Sequence, residues 1–202
     1  MWTLTLEQRA TGWLKKPFHS HFRELMLHAA AREKIWSPAY CLMPDHFHLV
    51  WMGIRRESDQ LNAMRFLRRQ LAPALQPHRF QHQAHDHVLR EDERKRGAFA
   101  RVCFYVLENP VRAKLAAKAG DWPFSGTIVP GYPTLHPTAE DFWETFWKLY
   151  VAERESEPLR HPSRRWHDPA PTVAAFVKTR ICLSPAGRPR FHKRGYFRGY
   201  GA

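Results

Sequence analysis

Residues 38–54 read PAYCLMPDHFHLVWMGI, and this stretch decides the fold. Residues 38–43 read as one strand and 46–54 as a second. Pro44 and Asp45 between them are turn chemistry, because proline presets the backbone of a turn's first central residue. Two strands joined in this way make a hairpin. Upstream, residues 2–8 (WTLTLEQ) alternate as a half-buried strand. Pro17 then precedes a helix expected over about 19–33, with Phe22, Leu25, Met26 and Ala29 at helical spacing. Downstream, residues 58–72 predict a helix with Leu61, Met64, Phe66, Leu67 and Leu71 partly inward and Arg65, Arg68 and Arg69 outward. Residues 84–90 predict a short strand, and 92–108 a helix with Phe99, Val102, Cys103 and Val106 on its apolar stripe. Pro110 biases Asn109 away from helical backbone, which ends that helix, and a short helical turn follows at 110–118. A last helix over about 139–154 opens with Thr138 and Asp141 in capping-box spacing. Its Phe142, Trp143, Phe146, Trp147 and Tyr150 form an aromatic face suited to docking on the domain. The order β-α-β-β-α-β-α predicts an α+β fold: one antiparallel, ferredoxin-like sheet covered by helices on one face.

The chain has 202 residues, with 32 Lys+Arg against 19 Asp+Glu and a formal net charge of +13. Such an excess points to a polyanionic partner, either nucleic acid or an anionic membrane surface. No apolar stretch approaches the ~18–20 residues of a membrane span, and the N-terminal residues lack the layout of a secretion signal. Cys41, Cys103 and Cys182 lie far apart with no CxxC pair, which excludes a disulfide framework or a cysteine zinc finger. A reducing, cytoplasmic setting follows as the expectation. Composition divides the chain into a domain over 1–130, an aromatic helical extension over 131–156 and a basic, partly disordered tail over 157–202. Phe191, Tyr196, Phe197 and Tyr200 in that tail would suit stacking on unpaired bases, or simply belong to a solvated terminus.

Three His-x-His pairs occur: His19/His21, His46/His48 and His85/His87. Side chains two apart on a strand share a face, whereas on a helix they diverge. His19/His21 therefore reads as a polar helix start. His46/His48 can present two imidazoles to one divalent metal, with Phe47 turned to the apolar side; the pair alone is equally two half-exposed histidines on an edge strand. His82, His85 and His87 could make a zinc site or a polar strand facing solvent or DNA. Further on, Tyr105 and Asn109 are four apart at a helix end and share one face. Two imidazoles and an amide oxygen would suit Mg²⁺ or Mn²⁺, with phosphate oxygens completing the shell. The competing assignment has Tyr105 in the core and Asn109 capping the helix.

Taken together, LMPDHFHLV at 42–50, HDHVLR at 85–90, YVLENPVRA at 105–113 and DWPFS at 121–125 resemble the REP-associated tyrosine transposase branch of the single-tyrosine HUH (IS200-like) transposases. The match covers roughly residues 1–130. The resemblance implies a ferredoxin-like fold whose central strand carries the histidines, Tyr105 as nucleophile, and His46, His48 and Asn109 as ligands of Mg²⁺ or Mn²⁺. Glu108 stands where relatives often have a neutral residue, which leaves open whether it or Asn109 faces the metal, although helix spacing favours Asn109.

The implied activity is cleavage and rejoining of single-stranded or hairpin DNA through a 5′-phosphotyrosine link, by a monomer or homodimer associated with the nucleoid. DNA holding would fall to Arg65, Arg68 and Arg69, to Arg90, Arg94, Lys95, Arg96 and Arg101, and to Arg112 and Lys114, clustered beside the cleft. The alternatives are a catalytically silent regulator that binds structured nucleic acid, and a small zinc-dependent module built on His82, His85 and His87.

Overall fold

The computed structural model describes residues 1–86 and 98–156. Five strands form one antiparallel sheet: β1 (Trp2–Thr5), β2 (Ile35–Met43), β3 (His46–Gly53), β4 (His85–Asp86) and β5 (Ser125–Ile128), in the order β4-β1-β3-β2-β5. The order β4-β1-β3-β2 is that of a ferredoxin-like β-α-β-β-α-β unit. The fifth strand extends it at the β2 edge. The hairpin of β2 and β3 is its centre, with Met43 opposite His46, Cys41 opposite His48 and Ala39 opposite Val50. An irregularity in this pairing explains a boundary: β2 begins at Ile35, and the register shifts between Trp36 and Ala39, around Pro38. Proline has no N–H for the ladder, so a strand carries it at an irregularity rather than stopping there.

Because side chains alternate, the sheet has two distinct faces. Leu4, Tyr40, Leu42, Phe47, Leu49 and Trp51 point one way, into a core closed by α1 (Lys16–Glu33) and α2 (Gln60–Leu75). Ala39, Cys41, Met43 and Val50 point the other way, under Cys103, Val106 and Leu107 of α3 (Ala98–Leu107). A single turn, α4 (Asn109–Arg112), follows, and α5 (Phe142–Glu155) packs Phe142 and Phe146 against Trp36, Ile54 and Val129. Helices therefore cover both faces, not one as the sequence order predicts. The two ferredoxin-like helices α1 and α2 take one face. The opposite face exposes the apolar run Ala39-Cys41-Met43-Val50, and α3 buries it.

Other expectations differ in detail. The first strand stops at Thr5, and residues 7–9 form a 3₁₀ turn in which Gln8 and Arg9 have positive φ. Helix α1 takes in Pro17 in its first turn, where a missing N–H costs nothing. Leu61 is 57% exposed rather than inward. No capping box opens α5: the Thr138 hydroxyl instead meets His136 Nδ1 at 2.8 Å, and the helix starts after Asp141. Strand β5 was not expected. Ser-Gly-Thr-Ile is too short to alternate visibly, and its pairing with β2 (Cys41 with Ser125, Tyr40 with Gly126) specifies it instead. Trp122 leads into it and fixes its approach by donating Nε1–H to the Leu42 carbonyl at 2.9 Å. Residues 87–97, which hold most of the expected 84–90 strand and the start of the expected 92–108 helix, and the tail over 157–202 lie outside the described residues.

Candidate active site

Strand period does the first part of the construction. His46 and His48 stand on one face of β3, on either side of Phe47, which is fully buried on the other. Their Nε2 atoms converge to 3.0 Å. Each ring is held from behind. His46 Nδ1–H donates to Asp45 Oδ1 at 2.6 Å, and the second Asp45 oxygen accepts from Arg9 Nε at 2.6 Å. His48 Nδ1 meets the Thr3 hydroxyl at 3.2 Å, and Thr3 is the cross-strand partner of His48. A carboxylate or hydroxyl on the far ring nitrogen fixes orientation and tautomer, which is how metal-binding imidazoles are supported. The spacing also fits. Two nitrogens each about 2.1 Å from one cation, at a right angle, stand about 3.0 Å apart.

Burial, followed by the charges of His46 and Arg112, holds the His48 pKa at about 4; Asp45 opposes this. His48 is thus neutral and available as a donor at ordinary pH. Cys41, beside it across the ladder, is pushed up to about 12 by burial, and Cys103 on α3 is pushed up further for the same reason. Both remain thiols, so neither competes as a nucleophile.

Helix α3 covers this same face. Cys103, Val106 and Leu107 turn inward, which leaves Tyr105 41% exposed at the helix end. Tyr105 is therefore not a core tyrosine. Arg112 wraps back onto it: the guanidinium lies 3.9 Å from the ring centroid and Nη2 donates to the Tyr105 carbonyl at 2.9 Å. Asn109 stands beside both. Its Nδ2 donates to the carbonyls of Val106 (3.0 Å) and Tyr105 (3.3 Å), and its Oδ1 accepts from Arg112 Nη2 at 2.7 Å. Asn109 does close the helix end, as the competing assignment had it. Its amide oxygen keeps a second lone pair beyond the Arg112 bond. Arg112 thus touches Tyr105 and Asn109, and its charge also bears on His48.

Among the described residues no group of three or more His, Cys, Asp or Glu side chains is placed to hold a metal ion. Glu108, which is exposed, does not join the histidine pair, and His82 and His85 assemble no zinc site among these residues. His87 lies outside them, as do Arg90, Arg94, Lys95 and Arg96. Arg101 and Lys114 are exposed near the tyrosine helix. Arg65, Arg68 and Arg69 are not beside the histidine pair. They belong to α2, whose apolar stripe packs on the Phe47 side of the sheet. Arg68 donates to the carbonyls of Gln81 and His82 and lies over the Phe80 ring, so it secures the loop after α2. Sequence reasoning took Asp45 only as a turn residue and did not single out Thr3 or Arg9. Asp45 was readable as a supporting carboxylate from its place beside His46; Thr3 required the β1–β3 register.

No family model matches the chain, and no curated protein matches it. A solved structure does: a REP-associated tyrosine transposase bound to a REP hairpin, at 18% identity and a TM-score of 0.51, over 84% of this chain and 91% of that one. The two proteins share a fold. At this identity the shared fold carries no residue-level assignment, so the function must come from the site itself. Among the described residues no helix is long and apolar enough to cross a membrane.

Proposed function

We propose that the chain cleaves and rejoins single-stranded DNA beside a hairpin through a 5′-phosphotyrosine link, with Tyr105 as nucleophile and His46, His48 and Asn109 holding Mg²⁺ or Mn²⁺. The observation that carries this reading is the pair of Nε2 atoms 3.0 Å apart, each imidazole supported from behind, on the sheet face that the tyrosine helix covers. The shared fold with a hairpin-bound tyrosine transposase and the +13 net charge support the same partner.

A bound divalent cation would polarise the scissile phosphate and lower the barrier to in-line attack. The chain's own residues do the rest. The Tyr105 oxygen forms the new bond to phosphorus as the bond from phosphorus to the 3′ oxygen breaks; the phenolic proton passes to solvent, and the departing oxygen takes a proton from solvent to leave as a 3′-hydroxyl. Arg112, stacked on the phenol ring, orients it and offers a second N–H fork to phosphate oxygens. Asn109 keeps Arg112 at that station. Reversal by another 3′-hydroxyl rejoins the strand, since the phosphotyrosine ester preserves the bond energy.

The test is incubation of the full-length chain with a hairpin oligonucleotide carrying single-stranded flanks, with Mn²⁺ or with chelator, followed by denaturing electrophoresis. The reading expects a denaturation-resistant protein–DNA band with Mn²⁺ that disappears with chelator and in His46→Ala. Equal hairpin binding by wild type and His46→Ala, with no band from either, would favour a silent nucleic-acid-binding regulator.

A further inference from the structure

On the opposite face of the sheet, where α1 meets β2 and β5, lies a second cluster that the cleavage reading does not use. Tyr40 of β2 is fully buried, and its hydroxyl accepts from Arg23 Nη1 at 2.6 Å and meets His19 Nε2 at 2.9 Å. Strand β5 passes close by with a glycine. A Cβ on Gly126 would lie 3.0 Å from the Tyr40 hydroxyl and 3.3 Å from Arg23 Nη1, so the residue there must be small. Phe124 stands edge-on to His19 and closes one side. The phenol's hydrogen bonds are made within the protein, whereas the guanidinium keeps spare N–H donors that reach solvent. Arg23 is half-buried and its one polar partner among the described residues is that neutral hydroxyl. Among the described residues no carboxylate pairs with it.

The surroundings register the same imbalance. Burial and then the Arg23 charge hold His19 at about 4, and the same two causes lower His136, in the loop ahead of α5. Among the described residues no acidic group acts on either. A guanidinium without a counter-charge among the described residues, its planar fork keeping spare N–H donors, matches a phosphate. Arginine on a buried tyrosine anchor is also held in place before any ligand arrives, which lowers the entropy cost of binding.

We propose that Arg23, braced by Tyr40 and flanked by His19, is a phosphate-binding site on the sheet face away from Tyr105, and that it takes a backbone phosphate of the bound nucleic acid remote from the cleaved one. The nucleic-acid part rests on the partner named under the proposed function; the phosphate site does not. It would give a hairpin a second point of attachment, setting which phosphate reaches the tyrosine.

Two measurements on the full-length chain test this. The first is the salt dependence of hairpin-oligonucleotide binding by wild type, Arg23→Gln and Arg23→Lys. The expected result is a slope of log Kobs against log salt shallower by about 0.7–0.9 in Arg23→Gln, with most of it regained in Arg23→Lys. The second needs no variant to fold. Inorganic phosphate titrated into ¹⁵N-labelled wild type should shift the Arg23 Nε–H resonance saturably and raise the melting temperature. A shifted resonance with an unchanged slope would overturn the nucleic-acid assignment and leave a small-anion site. An unmoved resonance would overturn the site itself and leave Arg23 as a brace for Tyr40. If wild type binds no hairpin, the partner fails while the phosphate titration still decides the site.

Discussion

The chain contains the same tripeptide pattern twice in described structure, with opposite results. His19-Ser20-His21 lies on α1, where two residues subtend about 200°, so the rings part. His19 reaches inward to Tyr40, and His21 stays outside, 3.9 Å from Glu24. His46-Phe47-His48 lies on β3, where the same spacing returns both rings to one face and brings their Nε2 atoms to 3.0 Å. The residue between the histidines reports the difference. Phe47 is fully buried, stacked with Trp13 at 4.8 Å between ring centroids, while Ser20 is exposed. A histidine pair becomes a potential ligand pair only when the backbone period and the burial of its middle residue agree.

The sharpest way to break this comparison is at those middle residues. Phe47→Ala should cost about 3–5 kcal/mol of folding stability, because the ring fills a core shared by α1 and the sheet. Ser20→Ala should stay within about 0.5 kcal/mol. Urea denaturation of the two variants reads both. A Phe47→Ala loss below 1 kcal/mol would mean that the strand is not anchored as described.

Next in size is the support behind the rings. Asp45→Asn should weaken Mn²⁺ binding about 10–100-fold in isothermal titration, by loosening the His46 orientation. His21→Gln on the helical pair should leave that affinity unchanged. Equal effects of the two would contradict the assignment of Asp45.

The smallest effect is one the two pairs share. His48 and His19 both have folded pKa values of about 4, below the ordinary 6.5. Above pH 6.5 both are neutral whether folded or unfolded, and they contribute no pH dependence. Between 6.5 and 4 the unfolded chain takes up the protons first, so stability falls as pH falls. Melting temperature should drop over that window, and less steeply in His19→Gln and in His48→Gln. A single-variant curve as steep as wild type would show that histidine to be normally solvated.

Much of this was legible in the sequence because it rests on local period. The hairpin, the shared face of His46 and His48, the burial of Phe47 and the pairing of Tyr105 with Asn109 at a helix end all follow from alternation or helical spacing. What was not legible depends on register or on packing between distant segments. Strand β5 exists because β2 offers it an edge. Thr3 supports His48 only because β1 pairs with β3 in one register. The arginines of α2 are outward on their helix, yet the helix lies on the wrong face for the histidines, and only the tertiary structure reveals that. Arg112 reads as one more cation in a basic chain; its place on the Tyr105 ring comes from the turn that α4 makes after Asn109.

The most direct test of the central claim is mass spectrometry of a digest prepared after reaction with a hairpin oligonucleotide and Mn²⁺. The account predicts a nucleotide mass on the peptide containing Tyr105, joined through a 5′ phosphate, and no modified peptide from Tyr105→Phe. A nucleotide on any other residue, or an unmodified Tyr105 peptide from wild type alongside cut DNA, would contradict it.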